Sequence, residues 1–213
     1  MKIEEIFKSD NSLAIDYIKK YTYPYEILTN ISNVILNIGK NLDSNYIKKG
    51  NDIWIHKTAI IENDSTIKGP CIIDSNASIR QGAYIRGNAI IGKNTLIGNS
   101  SEVKNAIIFD DCTMPHFNYI GDSIIGYHTH FGAGAITANL KLNNKDIIIN
   151  NKDTHLKKVG SFIGDNVEIG CNTVLNPGTI IKANTIIYPL LSVKGIIESN
   201  KIVKNMNEII DKK

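Results

Sequence analysis

From residue 55 onward an apolar residue returns at every sixth position: Ile55, Ile61, Ile67, Ile73, Ile79, Ile85, Ile91, Ile97, Val103 and Phe109, with Pro115 in the next slot. Four residues after most of them stands a small one, among them Ala59, Ser65, Cys71, Ala77, Ala83, Ala89, Thr95 and Ser101. A period of six fits neither an amphipathic helix, at about 3.6, nor an alternating strand, at about 2. It is the period of a parallel β-helix built from hexapeptides. Three hexapeptides close one triangular coil, and coils stack at sheet spacing, about 4.8 Å. The aliphatic residue fills the prism, and the small residue packs near a corner. A single coil buries too little, so stability comes from stacking on neighbours.

The pattern is interrupted twice. After Pro115 the register marks are Ile120 and Ile125, then Phe131. A step of five predicts a shortened corner, with the segment HFNYIGDS irregular and suited to carry function. Residues 137–160 break the repeat outright, and their Asn- and Lys-rich composition predicts an excursion loop with a small hairpin around DIIINN. The repeat resumes at Ile163, Ile169, Leu175, Ile181, Ile187 and Val193. About twenty units make roughly seven coils, a prism roughly 30 Å long.

The expected division is an N-terminal helical segment over 1–50, the solenoid over 51–197 and a short C-terminal helix over 198–213. Leu13, Ala14, Tyr17 and Ile18 have helical spacing, as do Ile27, Leu28, Ile31, Val34, Ile35 and Ile38 before Gly39. Such helices would cap the open end of the solenoid or help subunits associate.

Composition narrows the partners. The net charge of +3 is mild and the lysines are scattered, which speaks against nucleic acid. No stretch is long enough to span a bilayer, and MKIEEIFKSDN has no apolar signal core, so a cytoplasmic location is expected. Cys71, Cys112 and Cys171 are odd in number and far apart, which predicts reduced thiols and no metal site built on them.

A flat solenoid surface needs a loop or a second subunit to make a cleft. The excursion supplies one wall. Near the slipped register stand His116, Tyr119, Asp122, His128 and His130, with Arg86 and Lys104 upstream. Arg86 and Lys104 are 18 residues apart, one whole coil, which stacks them on one face where a single anion could bridge them. Lys104 to His116 is 12 residues, which puts the histidine on another face. A site using all three is more easily shared between subunits. Arg80 lies off that face and is given no role. Asp122 reads as a turn former; His56 and His155 read as surface residues. His128 and His130, two apart, would face the same way on a strand. With His116 they bring to mind the three-histidine zinc site of hexapeptide carbonic anhydrases, which would make the chain a zinc-dependent hydratase.

Four segments go further. GNSSEVKNA (98–106), PHFNYIGDSIIG (115–126), FGAGAITANL (131–140) and FIGDNVEIG (162–170) resemble the acetyltransferase domain of N-acetylglucosamine-1-phosphate uridyltransferases. They resemble still more the archaeal sugar-1-phosphate nucleotidyltransferase/acetyltransferase proteins. The resemblance covers roughly 53–195 and implies a left-handed β-helix that forms homotrimers with sites between subunits. It implies transfer of an acetyl group from acetyl-CoA, as cosubstrate, to the amine of an amino-sugar 1-phosphate (glucosamine or galactosamine), a step toward UDP-N-acetylglucosamine-type envelope precursors. By position, His116 matches the catalytic base. Arg86 and Lys104 match the phosphate ligands, and Tyr119 a sugar contact. Asn139 and Lys145 match residues at the edge of the site. Ala133 matches the backbone N–H near the acetyl group.

The sequence also departs from that pattern. His130 stands where the family usually has Asn, in the sugar pocket, and Cys171 where the bacterial enzyme has a serine near the coenzyme. The C-terminal arginine that pairs with coenzyme phosphates has no clear counterpart. Nothing here resembles the Gly-rich nucleotide loop, so no uridylyl transfer is expected. The competing expectation from another class is a non-catalytic trimeric scaffold, a regulatory partner of a sugar nucleotidyltransferase.

Overall fold

In the computed structural model, which describes residues 1–212, the hexapeptides wind into seven complete coils and part of an eighth. The architecture is the left-handed parallel β-helix of hexapeptide repeats. Register follows the 18-residue turn: Ile55 lies beside Ile73, Ile73 beside Ile91, and Ile67 beside Ile85. These residues face inward and are joined by the buried small residues Ala77, Ala83, Ala89, Thr95 and Ser101. The corners turn through left-handed backbone, much of it at Asn and Asp, the side chains that best tolerate positive φ.

The interior register slips one step earlier than the sequence spacing indicates. Ile108, not Phe109, follows Val103 inside the prism, and Met114 rather than Pro115 comes next. Two coils therefore carry a five-residue step, Val103 to Ile108 and Ile120 to Ile125, at the same corner. The chain rounds that corner in continuous strands, Glu102–Ile108 and Tyr119–Ile125, which join two faces into one sheet. Phe109 points outward instead and stacks on Phe7, ring centroids 5.4 Å apart.

The N-terminal segment does not cap the end of the prism. It lies along one flank, the first face, where the outward residues are Trp54, Ile72, Ile90, Ile107, Ile124, Phe162 and Ile180. Left bare, that row would be an apolar patch running nearly the length of the solenoid. Ile3, Ile6 and Phe7, with Ile31, Val34, Ile35 and Ile38 from the helix Ile31–Lys40, cover it. Ile147, Ile149 and Val159 of the excursion extend the cover, and the expected hairpin is present as Ile148–Ile149 against Lys152–Asp153.

Among the described residues the expected C-terminal helix does not form either. Lys201–Asn205 continues the second face, pairing Ile202 with Ile186, and Glu208–Asp211 folds back antiparallel upon it. Val203 fills the prism, so the tail is held by the sheet it extends, and tertiary pairing overrides the helical spacing.

Candidate active site

Three residues of successive coils line the corner between the second and third faces. His116, Ala133 and Cys171 each stand two positions after an inward residue, Met114, Phe131 and Ile169. The Gly134 N–H donates to the His116 carbonyl at 3.0 Å, and the Asn172 N–H to the Ala133 carbonyl at 2.8 Å, which ties the column together. Gly132 is required here, since a Cβ on it would come within 2.6 Å of the Cys171 nitrogen. The His116 ring is exposed and makes no hydrogen bond among the described residues. The Ala133 N–H is likewise unspent in the backbone network. Phe117, 62 % exposed, and Leu190, 76 % exposed, follow on this corner at positive φ, a strained conformation for bulky side chains.

The third face carries the basic residues. Arg86 and Lys104 stand one coil apart as their spacing requires, each just past an inward residue. They lie at the edge of the face away from His116, so within one chain the three do not meet. Arg86 bonds Glu102 at 2.6 Å, which raises its already high pKa further. Lys104 reaches Asp122 at 3.2 Å. Asp122 is no mere turn former. Its side chain is 6 % exposed and also accepts from Asn105 at 2.9 Å and from Asn139. Asn139 donates in turn to the Tyr119 hydroxyl at 3.2 Å. Burial, then the charges of Asp122 and Glu102, push the Tyr119 phenol upward, so it stays protonated. Gly121 leaves the space over which that hydroxyl leans.

Of the remaining expected residues, His130 sits on the second face with its Nδ1 at 2.7 Å from Thr113 Oγ1. Lys145 is exposed on the excursion, away from this cluster of bonds. His128 is not on a strand: it turns a corner at φ 53° and joins a ladder of asparagines through Asn166. The zinc-hydratase arrangement therefore fails within the chain, because the three histidines occupy two corners and a face. Among the described residues, the one trio of carboxylate and imidazole groups within 4.8 Å is Asp146, Asp153 and His155 on the excursion. A pocket of about 410 Å³ opens in the N-terminal segment around Lys2, Phe7, Lys19 and Tyr21, remote from the histidine corner.

Fold and corner together define a hexapeptide-repeat protein. Residues 67–159 match the model of the GMPPB C-terminal domain. The bifunctional protein GlmU of Methanococcus maripaludis is 41% identical over 115 residues, covering 53% of this chain and 28% of that protein. The bifunctional sugar-1-phosphate nucleotidylyltransferase/acetyltransferase of Sulfurisphaera tokodaii is 36% identical, covering 72% of this chain and 45% of that one. The chain is thus related to the C-terminal region of GlmU and sugar-1-phosphate nucleotidylyltransferase/acetyltransferase proteins, and spans less than half the length of these relatives. The acetyltransferase domain of PglB from Neisseria gonorrhoeae, solved with acetyl coenzyme A, aligns over 88% of this chain and 76% of its own at 13% identity and a TM-score of 0.37, too distant to carry an argument.

Proposed function

We propose that the chain is an acetyl-CoA-dependent N-acetyltransferase acting on an amino-sugar 1-phosphate, working as a homotrimer in the cytoplasm. The observation that supports it most is the column of His116, Ala133 and Cys171 on successive coils, with the imidazole unpaired and a backbone N–H unspent one coil away. An amino sugar is largely an ammonium near neutral pH and must lose its proton before it attacks. His116 takes that proton, a role worth about 10²–10⁴ in rate. The amine forms its C–N bond at the thioester carbonyl, the Ala133 N–H donates to the developing oxyanion, and the C–S bond breaks. The departing thiolate takes the second proton that the nitrogen sheds as it becomes an amide, leaving CoA, the amide and the first proton on His116.

Tyr119 and Asn139 suit sugar hydroxyls, and Arg86 and Lys104 suit the phosphate. Those bases stand at the far edge of the third face, and Phe117 and Leu190 are bare beside the histidine column. Both features favour a site completed by a neighbouring subunit, the neighbour bringing its own base column against this corner. The test is free-CoA release from acetyl-CoA with glucosamine 1-phosphate and galactosamine 1-phosphate. Release that requires an amino sugar supports the reading. No release with any amino sugar overturns it in favour of the scaffold.

A further inference from the structure

The base column on the third face is longer than a monophosphate needs. Lys68 stands one coil before Arg86, as Arg86 stands one coil before Lys104. The Lys68 and Arg86 N–H groups donate to Ile85 and Val103, which fixes all three at the same place in their coils. The ring of Tyr84 lies alongside the first two, with Lys68 Nζ 5.2 Å and Arg86 Cζ 5.9 Å from its centroid. The column ends at Gly121, where the Tyr119 hydroxyl takes the place of a fourth side chain.

Charge separates the three. Glu102 pairs with Arg86 and Asp122 with Lys104, while Lys68 has no acidic partner among the described residues. Three cations against two carboxylates leave one positive charge, and it sits at Lys68. A phosphate held between Arg86 and Lys104 enters a neutralised pair. A second phosphoryl group, joined through one bridging oxygen, reaches the unneutralised end, because coils are only about 4.8 Å apart.

We infer that Lys68 and Tyr84 form a second anion subsite beside the Arg86–Lys104 pair, one that takes the second phosphoryl group when a diphosphate binds this face. This rests on the reading of the third face as the phosphate-binding face under the proposed function. Titration calorimetry of the full chain with inorganic phosphate and inorganic pyrophosphate tests it. Pyrophosphate is expected to bind about tenfold more tightly, the worth of one added charge-assisted contact. Lys68→Gln is expected to erase that advantage and to leave phosphate affinity within about twofold. Equal binding of the two anions, binding of neither, or a Lys68→Gln loss shared equally by both overturns the inference. CoA release with an amino-sugar 1-phosphate, measured on the same preparation, reads the acetyltransferase proposal separately. Lys68-dependent pyrophosphate binding without CoA release leaves this inference standing and removes that one.

Discussion

The first and third faces are built from the same repeat and differ in what their outward residues carry. On the first, coil after coil presents a large apolar side chain, and the N-terminal segment and excursion bury it. On the third, the corresponding outward places hold Lys68, Arg86, Lys104, Tyr84, Glu102 and Tyr119, which stay exposed or half-buried. The inward residues are nearly interchangeable between the two, so the prism itself carries no function. The faces are distinguished by the outward alternation: apolar outward residues recruit the chain's own segments, and polar ones stay at the surface.

The comparison breaks most easily on the covered face. Phe109→Ala removes a ring stacked on Phe7 and buried under the N-terminal segment. Its expected cost is about 3–5 kcal/mol, and about 2–5 for Ile124→Ala, by denaturant titration. Thr66→Ala, outward on the third face and exposed, is expected to stay within about 0.5 kcal/mol of wild type. Equal costs at the two places would dissolve the distinction.

A smaller effect probes the open face. A Cβ at Gly121 would lie 2.5 Å from the Tyr119 hydroxyl, so Gly121→Ala displaces that tyrosine from Asn139. Steady-state kinetics should show a rise in KM for the amino sugar with little change in kcat, and nearly unchanged stability. A fall in kcat alone would place Tyr119 elsewhere in the reaction.

The smallest concerns pH. Burial, offset in part by the Lys93 N–H, pushes the Asp110 carboxyl up to about 6, with Asp74 and Asp111 adding to the rise. The folded state therefore keeps this proton where the unfolded chain, near 3.9, has lost it. The stability it contributes is full below about 4 and is lost as pH rises through about 6. Asp110→Asn is expected to raise the unfolding midpoint at pH 7 and to leave it nearly unchanged at pH 4. A lower midpoint at pH 7 would contradict the sign.

Much of this was legible in the chain. Period six gave the prism, its length and the shared face of Arg86 and Lys104, because one coil is a fixed number of residues. The cover was legible too, in the doubled apolar pairs Ile72-Ile73, Ile90-Ile91, Ile107-Ile108, Ile124-Ile125, Phe162-Ile163 and Ile180-Ile181, which mark a strand buried on both sides. Read only for their inward member, those pairs hide where the N-terminal helix goes. The slip at Val103 was masked because Ile108 and Phe109 are both apolar, and which of them faces inward is settled by packing. Asp122 looked like a turn residue because its partners, Lys104 and Asn105 from the preceding coil and Asn139 from the excursion, are distant in sequence. The C-terminal hairpin lay hidden because its apolar residues also fit a helical spacing until a sheet edge is there to pair with.

The reading of the open corner turns on one imidazole. CoA release from acetyl-CoA and an amino-sugar 1-phosphate, compared between wild type and His116→Ala of unchanged circular dichroism, addresses it directly. The account predicts a loss of about 10²–10⁴ in kcat. A variant that transfers acetyl groups as fast as wild type would contradict it.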